Sequence, residues 1–132
     1  MGDPRRFQLF AECIQSHLSP TLAIADVAGG KGYLQAALRE RGFSRITTWD
    51  RQRRRATTRQ TYRYQLFHHE ISLHYDAVVG MHPDEASDHL VFYAGIHQIP
   101  AIISPCCIKP SATPFWGGHN YREMGAPLAV IM

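Results

Sequence analysis

The sequence predicts an α/β fold in which helices cover both faces of a mostly parallel sheet. Short apolar runs alternate with segments of helical spacing along the 132 residues. This alternation is typical of parallel sheets, because each crossover between parallel strands needs a connection about as long as a helix. The length suits a single domain spanning residues 1–132. A hydrophobic fraction of 45% and a charged fraction of 19% are those of an ordinary globular chain.

The first half of the chain predicts two helix–strand units. The pair DP near the N-terminus is typical of a helix start, and apolar residues at helical spacing continue the helix to about His17. The run LAIADVA then predicts a buried strand. Helical spacing over Lys31–Arg41, followed by a glycine stop, predicts a second helix. The β-branched and aromatic run SRITTWD predicts a second strand that ends at Asp50.

The second half continues the alternation. The polar stretch Arg51–Arg63 is compatible with a short helix or a loop. YRYQLF and YDAVVGM predict a third and a fourth strand, and the acidic start and periodicity of PDEASDHLVFYAGIHQ predict a helix. IPAIIS predicts a fifth strand, the proline- and glycine-rich segment from Pro105 a loop, and LAVIM a final strand.

A glycine-rich turn follows the first predicted strand. Asp26 closes the apolar run, and Gly29, Gly30 and Gly32 come within the next six residues. Ligands of open parallel sheets bind beyond the carboxyl ends of the strands, where glycines allow a close approach and the next helix directs its N–H groups outward. Asp50 lies 20 residues after Gly30, about the spacing at which nucleotide-binding folds place an acid on ribose hydroxyls. The turn therefore predicts a nucleotide-like ligand. It matches neither G-x-G-x-x-G nor a P-loop, and a plain tight turn is the alternative.

Three elements of the sequence resemble a known family. DVAGGKGYL, GMHPDEASDH and SPCC occur in this order between Ile24 and Cys107. They resemble the D-x-G-x-G-K-G-Y-L, L-H-x-C-D-x-A-T-D and P-C-C elements of a subgroup of class I S-adenosylmethionine-dependent methyltransferases. The resemblance implies a Rossmann-like fold with S-adenosyl-L-methionine as cofactor. Ala28 stands where the family usually has glycine, and Pro83 and Asp84 replace its usual residues.

The C-terminal part is short for this family. Between Cys107 and LAVIM there is little room for the helix and the antiparallel strand pair that normally complete the sheet. We expect either a shortened C-terminal part or a homo-oligomer in which a second copy completes the sheet.

The resemblance implies a set of cofactor contacts. Asp26 would orient the glycine loop or accept from the methionine amino group, and Asp50 would accept both ribose hydroxyls. The other implied contacts are the methionyl and ribose portion at Ala28, Gly29, Gly30 and Gly32, the adenine at Arg51, Phe67 and His68, and the sulfonium at Gly80, Met81 and His82.

His82 and Asp84 are the candidate catalytic residues. Methyl transfer from a sulfonium depends mainly on alignment of the acceptor, and a general base is useful only for a protonated acceptor. The ordinary pKa of histidine lies near neutrality, so His82 is the candidate base, and Asp84 would orient it or act itself. Alternatively the two residues begin a helix with Asp84 as N-cap, and the two roles are compatible.

Substrate contacts are predicted at Pro83, at Cys106 and Cys107, and along the stretch Arg51–Arg63. The cysteines fit the packing of small apolar side chains as well. The basic stretch interleaves arginines with tyrosines, which is compatible with nucleic-acid contact, RNA in particular, although a solvated face fits too. Its predicted substrate contacts are Arg53, Arg54 and Arg55.

Other observations limit the function classes. No apolar stretch approaches the roughly 18–20 residues of a membrane span, and the N-terminus lacks a secretory pattern. An odd count of 3 cysteines, two of them adjacent, argues against a disulfide scaffold. We therefore expect a cytoplasmic protein. We predict no metal site, because His68, His69, His82 and the cysteine pair lack metal-ligand spacing.

The predicted function is an S-adenosylmethionine-dependent methyltransferase that acts on nucleic acid, with RNA favoured. Two alternatives stay open. One is a non-catalytic cofactor-binding or interaction module, and the other is an enzyme that uses the cofactor for a reaction other than methylation.

Overall fold

A computed structural model describes residues 5–51, 61–83, 86–104 and 129–131. Its helices are α1 (Arg6–His17), α2 (Tyr33–Glu40) and α3 (Ser87–His97). Its strands are β1 (Ile24–Val27), β2 (Ile46–Trp49), β3 (Tyr62–Arg63), β4 (Ala77–Met81), β5 (Ala101–Ser104) and β6 (Ala129–Ile131). They form one sheet in the order β3-β2-β1-β4-β5-β6, in which every neighbouring pair is parallel. The predicted Rossmann-like α/β fold is confirmed.

The strand order creates a switch point between β1 and β4. The chain runs outward from β1 to β3 along one half of the sheet and then returns to place β4 on the other side of β1. The same order occurs in doubly wound nucleotide-binding sheets, whose ligands bind where the order reverses. A ligand-binding site is therefore expected at the carboxyl ends of β1 and β4.

Each strand divides its side chains between two cores, because successive residues point to opposite faces. Ile24 and Ile46 pack with α1 and α2 on one face, in a core that includes Phe10, Ile14, Leu34 and Leu38. Ala25 and Trp49 pack with α3 on the other face, in a core that includes Leu90, Tyr93 and Ala94. Helices therefore cover both faces, as the sequence predicts.

Two element boundaries differ from the prediction. The run YRYQLF forms a strand only over Tyr62–Arg63, because its pairing partner β2 ends at Trp49. Helix α3 begins at Ser87 with Ala86 as its N-cap residue, later than the predicted start near Pro83, and Asp84, the cap considered from the sequence, lies outside the described residues. The backbone N–H of Ala86 donates to the Pro83 carbonyl, and this turn displaces the helix start. The predicted start of α1 at DP and the predicted loop from Pro105 lie outside the described residues.

The last strand of the sheet, β6, runs parallel to β5. Residues Ala101, Ile102 and Ile103 of β5 pair in register with β6. The family that the sequence resembles ends instead with an antiparallel pair, so the described sheet departs from it here. The connection from β5 to β6 lies outside the described residues, and the predicted shortening of this part stays a prediction.

Candidate functional site

A cleft of about 570 Å³ lies at the carboxyl ends of β1, β2 and β4. Ligand pockets commonly measure about 300–1,000 Å³ and combine apolar walls with a few polar groups. The cleft is lined by the loops that follow these strands, by the loop after β3, and by the first turns of α1 and α2. It therefore has the size and the position expected of a nucleotide-like site.

The glycine loop after β1 turns through left-handed backbone. Ala28, Gly30 and Gly32 have φ angles of +57°, +57° and +83°. Glycine adopts this region readily, whereas another residue loses roughly 1–3 kcal/mol. Ala28 is the position at which the resembled family has glycine. The loop keeps its left-handed turn there although a Cβ is present.

Gly30 is held through both of its backbone groups. Its N–H donates to Asp50 Oδ2 at 2.8 Å, at the end of β2. Its carbonyl accepts a hydrogen bond from the Tyr62 hydroxyl on β3. The Tyr62 ring also stacks on Tyr64, with centroids 5.3 Å apart. The two hydrogen bonds tie the loop to the neighbouring strands and fix its position at the cleft.

Asp26 lies below the loop and is fully buried. Its Oδ2 accepts a hydrogen bond from Thr48 Oγ1 at 2.8 Å, while its Oδ1 has no hydrogen-bond partner among the described residues. Burial raises the pKa of Asp26 to about 7, Asp50 acts in the same direction, and the Thr48 hydrogen bond opposes both. Burial disfavours the charged carboxylate. Asp26 is therefore a mixture of acid and carboxylate near neutral pH.

A buried network extends from Asp26 to α2. Thr48 Oγ1 accepts from Gln35 Nε2 at 2.7 Å. Gln35 Oε1 in turn accepts from Arg39 Nε at 2.9 Å and from the backbone N–H of Thr61 at 3.0 Å. These bonds satisfy the buried amide, as an interior polar group requires. They join the base of the loop to α2 and to the segment just before β3.

Gly29 is the glycine that close packing requires. A Cβ at this position would overlap Asp26 Oδ2 and lie 2.6 Å from Thr48 Cγ2. Both obstacles are buried and hydrogen-bonded to each other, so they have little room to move. The loop can lie on the Asp26–Thr48 pair only because Gly29 has no side chain.

The lining of the cleft includes the aromatic residues Phe7, Tyr33, Trp49 and Phe67. Trp49 and Phe67 meet edge to face with ring centroids 5.4 Å apart, and each is only 1% exposed. On the α1 side, the rings of Phe7 and Tyr33 lie 5.4 Å apart. Aromatic and apolar walls of this kind suit a flat ligand group such as a nucleobase.

The charged residues that line the cleft are mainly basic. Arg6, Lys31 and Arg51 line it, together with the carboxylate of Asp50. The Arg6 guanidinium carbon lies 4.8 Å from the centroid of the Phe7 ring, a cation–π contact. Basic residues around a cleft attract anionic groups such as phosphates. The described lining therefore favours a ligand or substrate with negative charge.

His82 lines the cleft directly after β4. Its φ angle is +54°, and its backbone N–H donates to the Ser104 carbonyl at 2.7 Å. Left-handed backbone at a residue other than glycine is costly and occurs preferentially at functional sites. The candidate base is thus at the cleft, whereas its predicted partner Asp84 lies outside the described residues.

The structure divides the residues predicted to contact the cofactor into two groups. Eight of them line the cleft: Ala28, Gly29, Gly30, Asp50, Arg51, Phe67, Met81 and His82. Four others are not among the lining residues: Asp26, Gly32, Gly80 and His68. Asp26 supports the loop from below instead, and Gly32 is the N-cap residue of α2.

Gly80 and His68 have other surroundings. A Cβ at Gly80 would lie 2.9 Å from Leu90 Cδ1, so this glycine allows α3 to pack closely on β4. His68 packs against His69 and His89, with ring centroids 4.4 Å and 4.3 Å away. Burial, followed by the charges of the other two histidines, lowers the pKa of His89. His68 and His69 thus group with His89, whereas His82 lines the cleft.

The predicted substrate contacts are only partly described. Pro83 lines the cleft. Cys106, Cys107, Arg53, Arg54 and Arg55 lie outside the described residues. At the end of the basic stretch, the Arg63 guanidinium carbon lies 5.8 Å from the centroid of the Trp49 ring.

Sequence reasoning missed the residues that position the glycine loop. Thr48 could have been found from the sequence, because it is a polar residue within the second predicted strand. In the structure it pairs in register with Asp26 on the neighbouring strand. No such sequence signal identifies Tyr62 or the α1 residues Arg6 and Phe7. Their approach to the loop depends on how an edge strand and a helix dock.

Within the described ranges, no helix is long and apolar enough to cross a membrane. The chain matches no protein-family model, and comparisons with curated proteins and with solved structures give no match either.

Proposed function

We propose that this chain is an S-adenosyl-L-methionine-dependent methyltransferase whose acceptor is a nucleic acid, with RNA favoured. The observation that carries the proposal is the hydrogen bond between the Gly30 N–H and Asp50 Oδ2 at the switch point. It brings the acid at the end of β2 against the glycine loop. A carboxylate can accept about four hydrogen bonds. Asp50 can therefore hold Gly30 and accept from ribose hydroxyls at the same time.

The lining of the cleft supports a definite arrangement of this cofactor. With its ribose at Asp50, the adenine lies toward Arg51, Leu66 and Phe67, and the methionyl portion lies along the glycine loop. The sulfonium is then near Met81 and His82, after β4. In this arrangement His82 is the group that removes a proton from the acceptor as the methyl group is transferred.

The basic lining supports the nucleic-acid acceptor. S-adenosylmethionine has a net positive charge and a single carboxylate, so it accounts for only part of the basic lining at Arg6, Lys31 and Arg51. A nucleic acid explains the rest, because lysine and arginine contacts to phosphate supply much of nucleic-acid affinity. We expect such a protein to act in the cytoplasm, where its cysteines stay reduced.

A second candidate is a site for a nucleotide or dinucleotide that carries phosphates. Two observations favour it. The strand order with a parallel β6 is that of dinucleotide-binding sheets, and the same basic lining suits a pyrophosphate. Calorimetry with S-adenosylmethionine, S-adenosylhomocysteine and NAD⁺ separates the two candidates. We expect the two sulfur compounds to bind and NAD⁺ not to bind, and the reverse result would establish the second candidate.

Transfer of a labelled methyl group to RNA or DNA then separates an enzyme from a binding module. We expect RNA to be labelled, and His82→Ala to lower the rate by about 10²-fold or more while cofactor affinity is retained. Cofactor binding without transfer to RNA, DNA or proteins of an extract would establish the binding module. Transfer that survives in His82→Ala would remove His82 as the base.

A further inference from the structure

A cluster of three histidines lies between the loop that precedes β4 and the first turn of α3. It consists of His68, His69 and His89, each partly buried. One nitrogen from each ring lies within 4.8 Å of the nitrogens of the other two. Nδ1 of His69 lies 2.8 Å from Nδ1 of His89.

We propose that His68, His69 and His89 together bind one Zn²⁺ ion. Zinc accepts imidazole nitrogens at about 2.0–2.1 Å, and two ligands of a tetrahedral ion are then about 3.3 Å apart. The separations in the cluster lie on both sides of this value, so small rotations of the rings bring all three nitrogens to bonding distance. A water molecule takes the fourth position, as is usual for sites with three protein ligands.

A carboxylate stands behind one of the proposed ligands. Glu70 Oε1 lies 3.7 Å from Nε2 of His69. When His69 binds zinc through Nδ1, its Nε2–H faces this carboxylate. Zinc-binding histidines commonly donate their second N–H to a carboxylate, which orients the ring and makes it a stronger ligand.

Two of the proposed ligand nitrogens accept backbone hydrogen bonds, and Nδ1 of His89 accepts one from the backbone N–H of His69 at 3.5 Å. Nδ1 of His68 accepts a hydrogen bond from the backbone N–H of Glu70 at 3.0 Å. Zinc binding through these nitrogens replaces both bonds. Without metal, the 2.8 Å contact between His69 and His89 is an ordinary hydrogen bond, and it holds two ligands close to their bonding separation.

The proposed ion would hold the loop after β3, which forms one wall of the cleft, against α3. His68 directly follows Leu66 and Phe67, which line the cleft, whereas His89 belongs to α3. An ion shared by these histidines therefore cross-links the loop to the helix. This role is structural and does not depend on which ligand the cleft binds.

Zinc titration of chelator-treated protein tests the proposal. The variants are His69→Gln, His89→Gln and the double variant, with His74→Gln as the matched control because His74 contacts His97 instead of the cluster. We expect one zinc per chain in the wild type and in the control, and affinity lower by about tenfold or more in either single variant. Glu70→Gln should lower the affinity by about tenfold.

Thermal unfolding gives a second readout that also reports folding. Because an ion that binds only the folded chain stabilises it, zinc should raise the Tm of the wild type and of His74→Gln but not that of the double variant. Zinc binding by the wild type that equals that of the folded double variant would overturn the proposal. If the double variant does not fold, the zinc affinity of Glu70→Gln tests the proposed site instead. An affinity equal to that of the wild type would then contradict the site.

Discussion

Thr48 Oγ1 lies 2.8 Å from Asp26 Oδ2, and the two residues are paired in register on adjacent strands with no exposure to solvent. Gly29 rests directly on this pair, because a Cβ at position 29 would overlap the carboxylate. The glycine loop is thus supported from below by a buried titratable group. The stability of the chain and the shape of the cleft should both respond to changes at this pair.

The first prediction concerns pH. Asp26 has a pKa of about 7 in the folded chain against an ordinary value of 3.8, so between these values the folded chain holds a proton that the unfolded chain releases. The stabilising contribution of Asp26 to the free energy of unfolding is therefore fully present below about pH 4. It falls as the pH rises from about 4 to about 7, and it does not change further above pH 7. The loss is on the order of 4 kcal/mol.

Asp26→Asn tests this dependence, because an amide keeps an oxygen for Thr48 and does not titrate. Urea unfolding across the same pH range measures the free energy of unfolding. We expect a flatter pH profile in the variant and greater stability than the wild type above pH 7. Parallel profiles for the two proteins would show that Asp26 titrates normally in the folded chain.

The second prediction compares two neighbouring glycines. Gly29→Ala forces a methyl group into Asp26 and Thr48, and we expect a loss of about 1–3 kcal/mol in the free energy of unfolding. At Gly30 a Cβ meets nothing within 4 Å, so Gly30→Ala should cost only the backbone strain of φ +57°, about 1 kcal/mol. The new methyl group would stand at the cleft and should weaken ligand binding. A larger stability loss at Gly30 than at Gly29 would contradict this assignment.

The third prediction concerns Tyr62. Tyr62→Phe removes the hydroxyl that donates to the Gly30 carbonyl but keeps the ring that stacks on Tyr64. We expect a stability loss of about 0.5–1.5 kcal/mol and weaker cofactor binding, since the Gly30 carbonyl then loses this hydrogen bond and the bond from the Gly30 N–H to Asp50 stays. Tyr64→Phe is the matched control, because Tyr64 stacks on Tyr62 while the hydroxyl that donates to the Gly30 carbonyl belongs to Tyr62. Equal effects of the two substitutions on binding would exclude a role of Tyr62 in positioning the loop.

The fold and the centre of the site could be predicted from the sequence, because both depend on local signals. Apolar runs and helical spacing locate β1, β2 and the helices between and around them. Adjacent parallel strands end side by side, so an acid after β2 must come near the loop after β1. The spacing of Gly30 and Asp50 thereby predicts a contact that the structure contains.

The other parts of the candidate site depend on tertiary packing, which the periodicity of the sequence does not encode. The family resemblance implies an adenine contact at His68, directly after a third strand predicted over YRYQLF. That strand ends at Arg63, and the following loop carries His68 to His89 on α3. The approach of Arg6 and Phe7 to the cleft likewise depends on how α1 docks against α2, which no local pattern specifies.

Binding of S-adenosylhomocysteine to wild-type and Asp50→Asn protein is the sharpest test of the proposed ribose contact at Asp50. Isothermal titration calorimetry measures both affinities, and Glu12→Gln serves as the control because Glu12 is an exposed acid on α1 outside the cleft. We expect one site in the wild type and in the control, and an affinity at least about tenfold lower in Asp50→Asn because a charge-assisted bond to the ribose is lost. No binding by the wild type, or equal affinity in all three proteins, would contradict the proposed contact.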